Sequence, residues 1–299
     1  MVNDEKIYFI TPEGGTLDLT DGVNYEVRQG IDGRHMPPFD YSTKKVYTYP
    51  GEIVQNINTS PREITLPITV KGDTADDFRD SVRMLEYSID PMRGEGKIKV
   101  VTSDTVPLTR LINCHFKTGM SFMESGETGN YKTRLFVITF ICHSPYWYDP
   151  VETEKKWTNP NGAMLRPQVV YNDGDVDTWP IITVACGSAN YINQIIINNE
   201  TTGKQIKYGN SGTSYLNLNA RLYIDCRPGY RSCCVLHWIY SKNALPRSYG
   251  NTYCDLWTTS NINFNLVPGE NRISFGIIQN ARDDSAWASF RWINRYNGI

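Results

Sequence analysis

Apolar and polar residues alternate most regularly just before residue 71. Every second position there is apolar: Ile64, Leu66, Ile68 and Val70. A period of two places such residues on one face of a β-strand. This pattern predicts a strand, and Pro67 within it predicts that part of the strand lies at a sheet edge, because proline cannot donate a backbone hydrogen bond.

The pattern then changes to a repeat of three and four residues, as on one side of an amphipathic helix. The apolar set is Ala75, Phe78, Val82, Leu85 and Ile89. Residues 73–76 predict the helix start, because a capping side chain is joined there by acidic residues near the positive end of the helix dipole. Pro91 predicts its end, and a glycine turn at 94–96 leads to a strand at 97–100. The result is a β-sheet with a single helix lying across it.

Short strand patterns fill the remainder of the chain. In the first half they cover 6–10, 23–27, 44–49, 108–114 and 135–142. The last is apolar on both faces, as expected for a strand buried between two layers. In the second half they cover 179–185, 191–197, 214–218, 221–226, 233–240, 262–266, 271–275 and 286–295. Strands with such turn-separated spacing are typical of an antiparallel sandwich of jelly-roll type.

Composition changes between the two halves. Residues 145–166 are rich in Pro, Asn and charged residues, and all seven Trp lie beyond residue 146. We therefore predict domains at residues 1–145 and 167–299, joined by a linker at 146–166. The predicted fold class is mainly β, with an N-terminal β-sandwich that carries one α-helix and a C-terminal antiparallel β-sandwich.

Charge and composition restrict the possible partners. The 299 residues include 30 Lys and Arg against 32 Asp and Glu, with no long basic run, which argues against a protein that grips nucleic acid. No apolar stretch approaches the ~20 residues of a membrane span, so no membrane insertion is expected. The acidic start lacks the features of a signal peptide. Seven Cys without framework spacing indicate reduced thiols in the cytosol.

Two clusters invite a metal interpretation. Cys114-His115 and Cys142-His143 repeat a pair of zinc-ligand types, but adjacent strand residues point to opposite faces, so core cysteines beside edge histidines are favoured. A calcium loop starting at Asp173 would need Gly and Glu where Thr178 and Val184 stand. A polar turn is the favoured interpretation of that segment.

No motif for catalysis or phosphate binding is present in the sequence. We therefore predict no catalytic residue, no cofactor and no metal. Aromatic residues between 238 and 257 could form a sugar-binding platform, with Trp238 and Trp257 as its candidates. Packing inside the sandwich core is the favoured alternative.

Taken in order, these features resemble the distal tail proteins of long-tailed bacteriophages. The resemblance covers both halves of the chain. In the first half it is carried by Tyr49-Pro50-Gly51-Glu52, by 62–68, by the helix from Phe78 to Leu85, by Asp90-Pro91 and by Gly94-Glu95-Gly96. In the second half it is carried by 172–175, 178–180, 202–204, Ile224-Asp225, 266–271 and Arg291-Trp292.

The resemblance implies a non-enzymatic structural protein of the virion tail tip, assembled in the host cytoplasm. A tail-tube-like sandwich would close into a homo-hexameric ring that lets DNA pass, with a galectin- or carbohydrate-module-like sandwich on the periphery. Implied partners are the tail tube protein, the tail-tip protein and the receptor-binding proteins or tail fibres. The alternatives are an adhesin for host wall sugars and, from a third class, a hydrolase of wall glycan.

Two hypotheses concern the ring. A long hairpin from Tyr47 to Val70 is expected to reach the next protomer, because its centre has too few apolar residues to be buried alone. The interface candidates are Tyr49, Glu52, Asn56, Arg62 and Pro67.

The second hypothesis concerns the channel. A DNA conduit should avoid fixed cations, because these retain phosphates. The channel-lining candidates are Asp32, Glu124 and Glu127, with Glu52 as a further possibility.

Overall fold

The computed structural model describes residues 5–48, 50–120, 132–158, 167–185, 192–209, 216, 220–237, 263–279 and 286–299. The chain forms two compact units. The first comprises Met1–Pro150 together with Tyr296–Ile299, and the second comprises Val151–Arg295. Within the described residues, no helix is both long and apolar enough to span a bilayer.

The first unit is built from strands and one α-helix. The strands are β1 (Lys6–Ile10), β2 (Thr16–Asp18), β3 (Tyr25–Val27), β4 (Phe39–Lys45), β5 (Glu52–Thr59), β6 (Arg62–Lys71), β7 (Gly96–Val101), β8 (Thr109–Thr118), β9 (Thr133–Cys142) and β10 (Trp147–Tyr148). The helix α1 spans Ala75–Ile89, and a short 3₁₀ helix follows at Pro91–Arg93. Most of the strands join one antiparallel sheet in the order β2-β1-β7-β8-β9-β6-β3, in which β10 also pairs with β8.

Helix α1 starts and ends where the sequence predicts. Thr74 and Asp77 form a capping box at its start, which satisfies two backbone donors, and Asp90 caps its end before Pro91. Phe78, Leu85 and Ile89 are buried against the sheet. The helix thereby covers one face of the sheet and closes the core of the first unit.

The second unit is a two-layered sandwich. Its strands are β11 (Thr153–Thr158), β12 (Gln168–Asn172), β13 (Ile181–Ala185), β14 (Ile192–Asn199), β15 (Lys204–Tyr208), β16 (Ala220–Asp225), β17 (Ser232–His237), β18 (Gly269–Gln279) and β19 (Trp287–Trp292). A five-stranded antiparallel sheet, β11-β19-β13-β16-β17, and a four-stranded antiparallel sheet, β12-β18-β14-β15, share one apolar core. The short strand β20 (Arg295–Tyr296) follows, at the return of the chain to the first unit.

Buried asparagines fix the turns of this sandwich. The Asn172 amide donates to the backbone oxygens of Val176 (3.0 Å) and Leu266 (3.2 Å). The Asn271 side chain accepts from the Val267 N–H (2.9 Å) and donates to the Val267 oxygen (2.7 Å). Both asparagines are almost fully buried, so these bonds satisfy backbone groups that water does not reach. The 172–175 and 266–271 motifs therefore act as structural turns.

The predicted fold class is confirmed: the described residues are mainly β, with one α-helix and antiparallel sheets in both halves. The predicted linker at 146–166 differs from the structure, since part of it is strand. Trp147 is fully buried in the first unit, where its indole N–H donates to the Arg34 oxygen (3.0 Å). Strand β11 pairs with β19 in the second unit. The last four residues, 296–299, belong to the first unit rather than the second.

Candidate assembly interface

A two-stranded hairpin stands apart from the sheet of the first unit. Strands β4 and β5 pair with each other from Phe39↔Thr59 to Lys45↔Glu52, and they form a separate two-stranded sheet. A register shift between Ser42 and Thr43 accommodates one extra residue on β5. Side chains of both strands are exposed almost throughout. Since an isolated hairpin is marginally stable in water, this one requires support from outside the strand pair.

The hairpin has an apolar face and a polar face. Cross-strand partners lie on the same face, so Tyr41 and Ile57 are joined on one side by Phe39 and Val54. These side chains retain 59% (Tyr41), 53% (Ile57), 38% (Phe39) and 51% (Val54) of their exposure. We call these four residues the hairpin apolar face.

The opposite face of the hairpin is mainly polar. It carries the pairs Asp40↔Asn58, Ser42↔Asn56 and Lys44↔Ile53. The hairpin is therefore amphipathic, yet its apolar face is not covered by the described part of its own chain. An exposed apolar surface rimmed by polar residues is typical of a site that binds another protein.

Strand β9 carries a second exposed apolar surface. Its inward residues Phe136, Ile138 and Phe140 are fully buried, whereas Leu135 and Val137 on the opposite side are 42% and 39% exposed. The prediction that this strand is buried on both faces is therefore wrong for the single chain, because only one layer covers it. We call Leu135 and Val137 the β9 outer face.

Arg62 is an internal residue of the first unit. Its side chain is 1% exposed, and its guanidinium donates to the backbone oxygens of Gly33 (3.2 Å), Arg34 (3.1 Å) and Asn297. Burial lowers the Arg62 pKa. These bonds tie the end of the chain to strand β6. Arg62 is therefore not available for contact with a neighbouring protomer, and we remove it from the candidate interface.

Pro67 is buried as well. Strand β6 pairs with β9 along its whole length, and on its other side β3 pairs with residues 68–70. The Arg28 N–H donates to the Pro67 oxygen (2.8 Å), and the Asp32–Thr65 bridge follows. The proline nitrogen lies between these two pairings, where no donor is needed. Strand β6 is thus an interior strand, and the predicted hairpin at 47–70 is replaced by one at 39–59.

The other predicted positions are distributed as follows. Glu52 and Asn56 lie on exposed strand β5, where the Glu52 carboxylate accepts from the Thr43 hydroxyl (2.5 Å). Asp32 is exposed, and its carboxylate accepts from the Gly33 N–H (2.7 Å). Tyr49, Glu124, Glu127, Trp238 and Trp257 lie outside the described residues.

The two Cys-His pairs come together in the structure. The cysteines lie in the core, and the histidines lie on the opposite side of the sheet. Cys114 and Cys142 are fully buried, and burial raises the pKa of the Cys114 thiol well above its usual range. The His115 and His143 rings lie 5.8 Å apart in an edge arrangement. Among the described residues, no group of three or more His, Cys, Asp or Glu side chains is placed to hold a metal ion. The segment at 173–177 is a turn, as predicted.

Sequence reasoning missed the residues that carry the exposed apolar surfaces. The sequence pattern predicts a strand at 44–49, whereas strand β4 begins at Phe39 and ends at Lys45. The signal was present: Phe39 and Tyr41 alternate with Asp40 and Ser42 over a run too short to stand out. In β9 the signal was the apolar character of both faces, which marks a strand whose second layer comes from elsewhere.

Comparison with known proteins agrees with this architecture. Residues 20–143 match the family model of the phage tail protein RIFT-related domain. Among curated proteins, no sequence matches the chain. The Dit protein of phage SPP1, described as a hub of the adsorption apparatus in phages that infect Gram-positive bacteria, has the same fold: the TM-score is 0.67 at 14% identity, over 97% of this chain and 98% of that one.

Two structures of the phage P2 baseplate in its activated conformation, with Ca and with Sr, also contain a similar chain. Each gives a TM-score of 0.53 at 8% identity and covers 99% of both chains. The first unit thus carries a phage tail domain, and the chain as a whole has the fold of tail and baseplate proteins. Residues 20–143 therefore match a phage tail domain, and the likeness of the whole chain to these structures is one of fold.

Proposed function

We propose that this protein forms a six-membered ring at the tip of the phage tail. The ring continues the tail tube, lets DNA pass through its centre, and attaches the tail-tip protein and the host-binding proteins or fibres. The role is structural rather than catalytic, and the chain assembles in the host cytoplasm. The description of the SPP1 protein as a hub of an adsorption apparatus supports this role.

The hairpin apolar face is the observation that carries the proposal. A single protomer leaves Phe39, Tyr41, Val54 and Ile57 in contact with water, on a hairpin that a two-stranded sheet alone does not stabilise. A neighbouring protomer would supply the missing layer. The cost of leaving this surface exposed then disappears on assembly.

The β9 outer face is a suitable receptor for the hairpin. A ring forms when two different surfaces of the same chain bind each other head to tail and the rotation closes. The hairpin apolar face and the β9 outer face are two such surfaces on the first unit, and both are apolar and about half exposed. We therefore place the hairpin of one protomer against Leu135 and Val137 of the next.

The size of the effect follows from the exposed fractions. Fully burying an apolar side chain contributes about 1.5–3 kcal/mol. Six side chains that are about half exposed would then contribute roughly 1 kcal/mol each, or about 6 kcal/mol for each contact before the cost of association. Ring closure adds to this, because each protomer is held at two contacts.

The experiment places polar residues on the two surfaces separately. Ile57→Ser with Tyr41→Ser tests the hairpin, and Val137→Asp tests the β9 outer face. The matched control is Asn56→Ser with Asn58→Ser, on the polar face of the same hairpin. Each variant is supplied to tails that lack the natural protein, and its incorporation is measured by mass spectrometry of purified particles.

We expect both interface variants to be excluded from particles while the control is incorporated. Thermal unfolding of the isolated variants should match the natural chain, since the changed side chains are exposed in the protomer. Normal incorporation of the hairpin variant would remove the basis of the proposal. Exclusion of the control to the same extent would show that the hairpin responds to any substitution.

The channel is the second part of the proposal. A conduit for DNA needs a surface without fixed cations, since Lys and Arg retain phosphates. Asp32, Glu52, Glu124 and Glu127 remain the proposed lining residues. A structure of the assembled ring whose lumen is lined mainly by Lys and Arg would contradict this part and leave the ring itself intact.

A further inference from the structure

Two cysteines of the first unit face each other across neighbouring strands. In the pairing of β8 with β9, His115 lies opposite Ile141. The next position in the same register places Cys114 opposite Cys142. Both side chains are fully buried in the core of the first unit, and both are free thiols. We call this pair the core dithiol.

The backbone hydrogen bonds show which kind of strand position the core dithiol occupies. Along an interior antiparallel strand, successive residues direct their backbone groups to alternate neighbours. The Lys132 oxygen, just before β9, accepts from the Gly72 N–H, just after β6 (2.9 Å). The regular register between these strands means that Cys142, an even number of residues further on, also bonds to β6. It therefore does not exchange backbone hydrogen bonds with Cys114 on β8.

This position has the geometry that a disulfide needs. Opposite residues that do not exchange backbone hydrogen bonds have Cα atoms about 4.5 Å apart, with their side chains close together. A disulfide requires a Cα separation of about 4.4–6.8 Å. Strands β8 and β9 can therefore be joined through Cys114 and Cys142 without a shift of the backbone.

A buried cation lies beside the core dithiol. Arg62 is the partner of Cys142 on strand β6, and among the described residues none accepts from its buried Nε–H. A guanidinium stabilises a neighbouring thiolate. Burial raises the pKa of the Cys114 thiol well above its usual range, and the Cys142 thiol beside it raises this pKa further. Cys142 is therefore the thiol that is placed to react first.

The core dithiol also lies where a strand pairing ends. Cys142 is the last residue of β9 and pairs with the first residue of β6, and His143, the next residue, is exposed. The ends of strand pairings open more readily than their centres. Burial protects the two thiols in the closed protein, and a local opening at this end admits a molecule as small as a peroxide.

We propose that Cys114 and Cys142 form a disulfide when the protein meets a peroxide outside the reducing cytosol. The Cys142 thiolate attacks one oxygen of hydrogen peroxide and becomes a sulfenic acid, while the other oxygen leaves as hydroxide and takes up the proton that Cys142 released. The Cys114 sulfur then attacks the sulfenic sulfur, and the S–S bond forms as water leaves. The two thiols lose two electrons and two protons, and the peroxide is reduced to two water molecules.

The disulfide stabilises the first unit after assembly. Thiols stay reduced in the cytosol, as the sequence predicts for this chain, whereas disulfides persist on virions. This consequence rests on the proposed function, which places the chain in the tail tip. The bond lies on the core side of the sheet, so it leaves the β9 outer face unchanged for the neighbouring protomer.

The test uses the purified full chain and hydrogen peroxide. The reduced chain is treated with peroxide, the remaining thiols are alkylated under denaturing conditions, and linked peptides are identified by mass spectrometry. The matched control lies in the same chain, since Cys226 and Cys233 are also buried in a core. Cys233 pairs with Ile224, so Cys226 lies diagonally from it, at roughly the 7–8 Å of such positions.

We expect the Cys114–Cys142 link in most chains and the Cys226–Cys233 link in few. The slowest amides of β8 and β9 should exchange about a hundredfold more slowly in the oxidised chain, because the bond restricts the unfolded chain. Cys114→Ala should remove this difference. Absence of the Cys114–Cys142 link, equal linking of the control pair, or equal exchange in the oxidised and reduced chains would overturn the proposal.

A second measurement concerns released particles. Particles purified without reductant should contain the Cys114–Cys142 link, whereas chains alkylated inside the cell before lysis should contain the free thiols. A link that forms in the free chain but is absent from particles would overturn the role after assembly. Failure of the ring proposal is recognised separately, because the peroxide reaction of the free chain does not depend on a ring.

Discussion

Replacement of Arg62 by Ala separates the internal role of this residue from the interface role expected from the sequence. The Arg62 guanidinium serves three backbone oxygens, those of Gly33, Arg34 and Asn297. Alanine would leave all three oxygens without this donor and would open a cavity in a site where the side chain is 1% exposed. The same Arg34 oxygen also accepts from the Trp147 indole, so the change reaches a second buried side chain.

The expected loss of stability is large for a single substitution. An unsatisfied buried polar group costs about 1–3 kcal/mol, and water entering the cavity would recover part of that cost. The Arg34 oxygen keeps the Trp147 donor, so the other two acceptors give a loss of about 2–4 kcal/mol in the free energy of unfolding of the first unit. Burial of the Arg62 guanidinium lowers its pKa and already destabilises the natural protein. The variant no longer has this buried charge, so the loss in its free energy of unfolding is smaller than the sum for the orphaned oxygens.

Hydrogen exchange measured by mass spectrometry is a suitable assay, because it reports on each unit separately. In Arg62→Ala we expect faster exchange in peptides covering 60–71 and 290–299. The control is Arg79→Ala: the Arg79 side chain is 66% exposed and its ion pair with Asp76 contributes less than about 1 kcal/mol. Unchanged exchange together with failed assembly would restore Arg62 to the interface and refute this reasoning.

Two further predictions concern the first unit. Gly33→Ala should destabilise it by several kcal/mol, since the backbone φ is +80° and an added Cβ would lie 1.8 Å from the Glu63 oxygen. The control Gly14→Ala, at φ +91° with open space around it, should cost about 1 kcal/mol. Urea unfolding compares the two variants, and equal losses of stability would contradict the prediction. Tyr25→Phe should cost about 1 kcal/mol at pH 7, because the hydroxyl donates to the Ser81 oxygen (2.7 Å). Burial also raises the pKa of Tyr25 to about 12 from an ordinary value of 10.0, so stability from this group is complete below pH 10 and is lost as the pH rises to 12. The variant should lose less stability than the natural chain in that window, and parallel curves from pH 9 to pH 12 would contradict this.

Sequence reasoning located the helix and the central strands because their patterns are long and their partners are local. Strand β6 and helix α1 each present one continuous apolar set, and Thr74 and Pro91 mark the helix ends directly. Such features depend on a few neighbouring residues. They can therefore be predicted without knowledge of the tertiary structure.

Several of the strands that sequence reasoning missed are edge strands of the second unit. Strands β11, β12 and β15 each end a sheet, and their sequences, such as Thr153–Thr158, carry charged or polar residues in place of clean alternation. Edge strands are charged because this discourages pairing with other chains. The property that protects them also hides them from a hydrophobic pattern.

The residues predicted for the interface fall in two different places in the structure. Glu52 and Asn56 lie on the hairpin, whereas Arg62 and Pro67 belong to the interior. Sequence shows that a residue is polar or apolar. It does not show which backbone oxygens will meet a guanidinium, because those of Gly33 and Asn297 come from distant parts of the chain.

The central claim is that the first unit becomes complete only when copies of it surround a hole. Electron microscopy of the tail particle that contains this chain tests it most directly, with averaging about the tail axis. We predict six copies, about 205 kDa for six chains of 34.1 kDa, around an axial opening bounded by the first unit, with each hairpin resting on the adjacent copy. A single copy beside the axis, or several copies with no opening between them, would contradict the account.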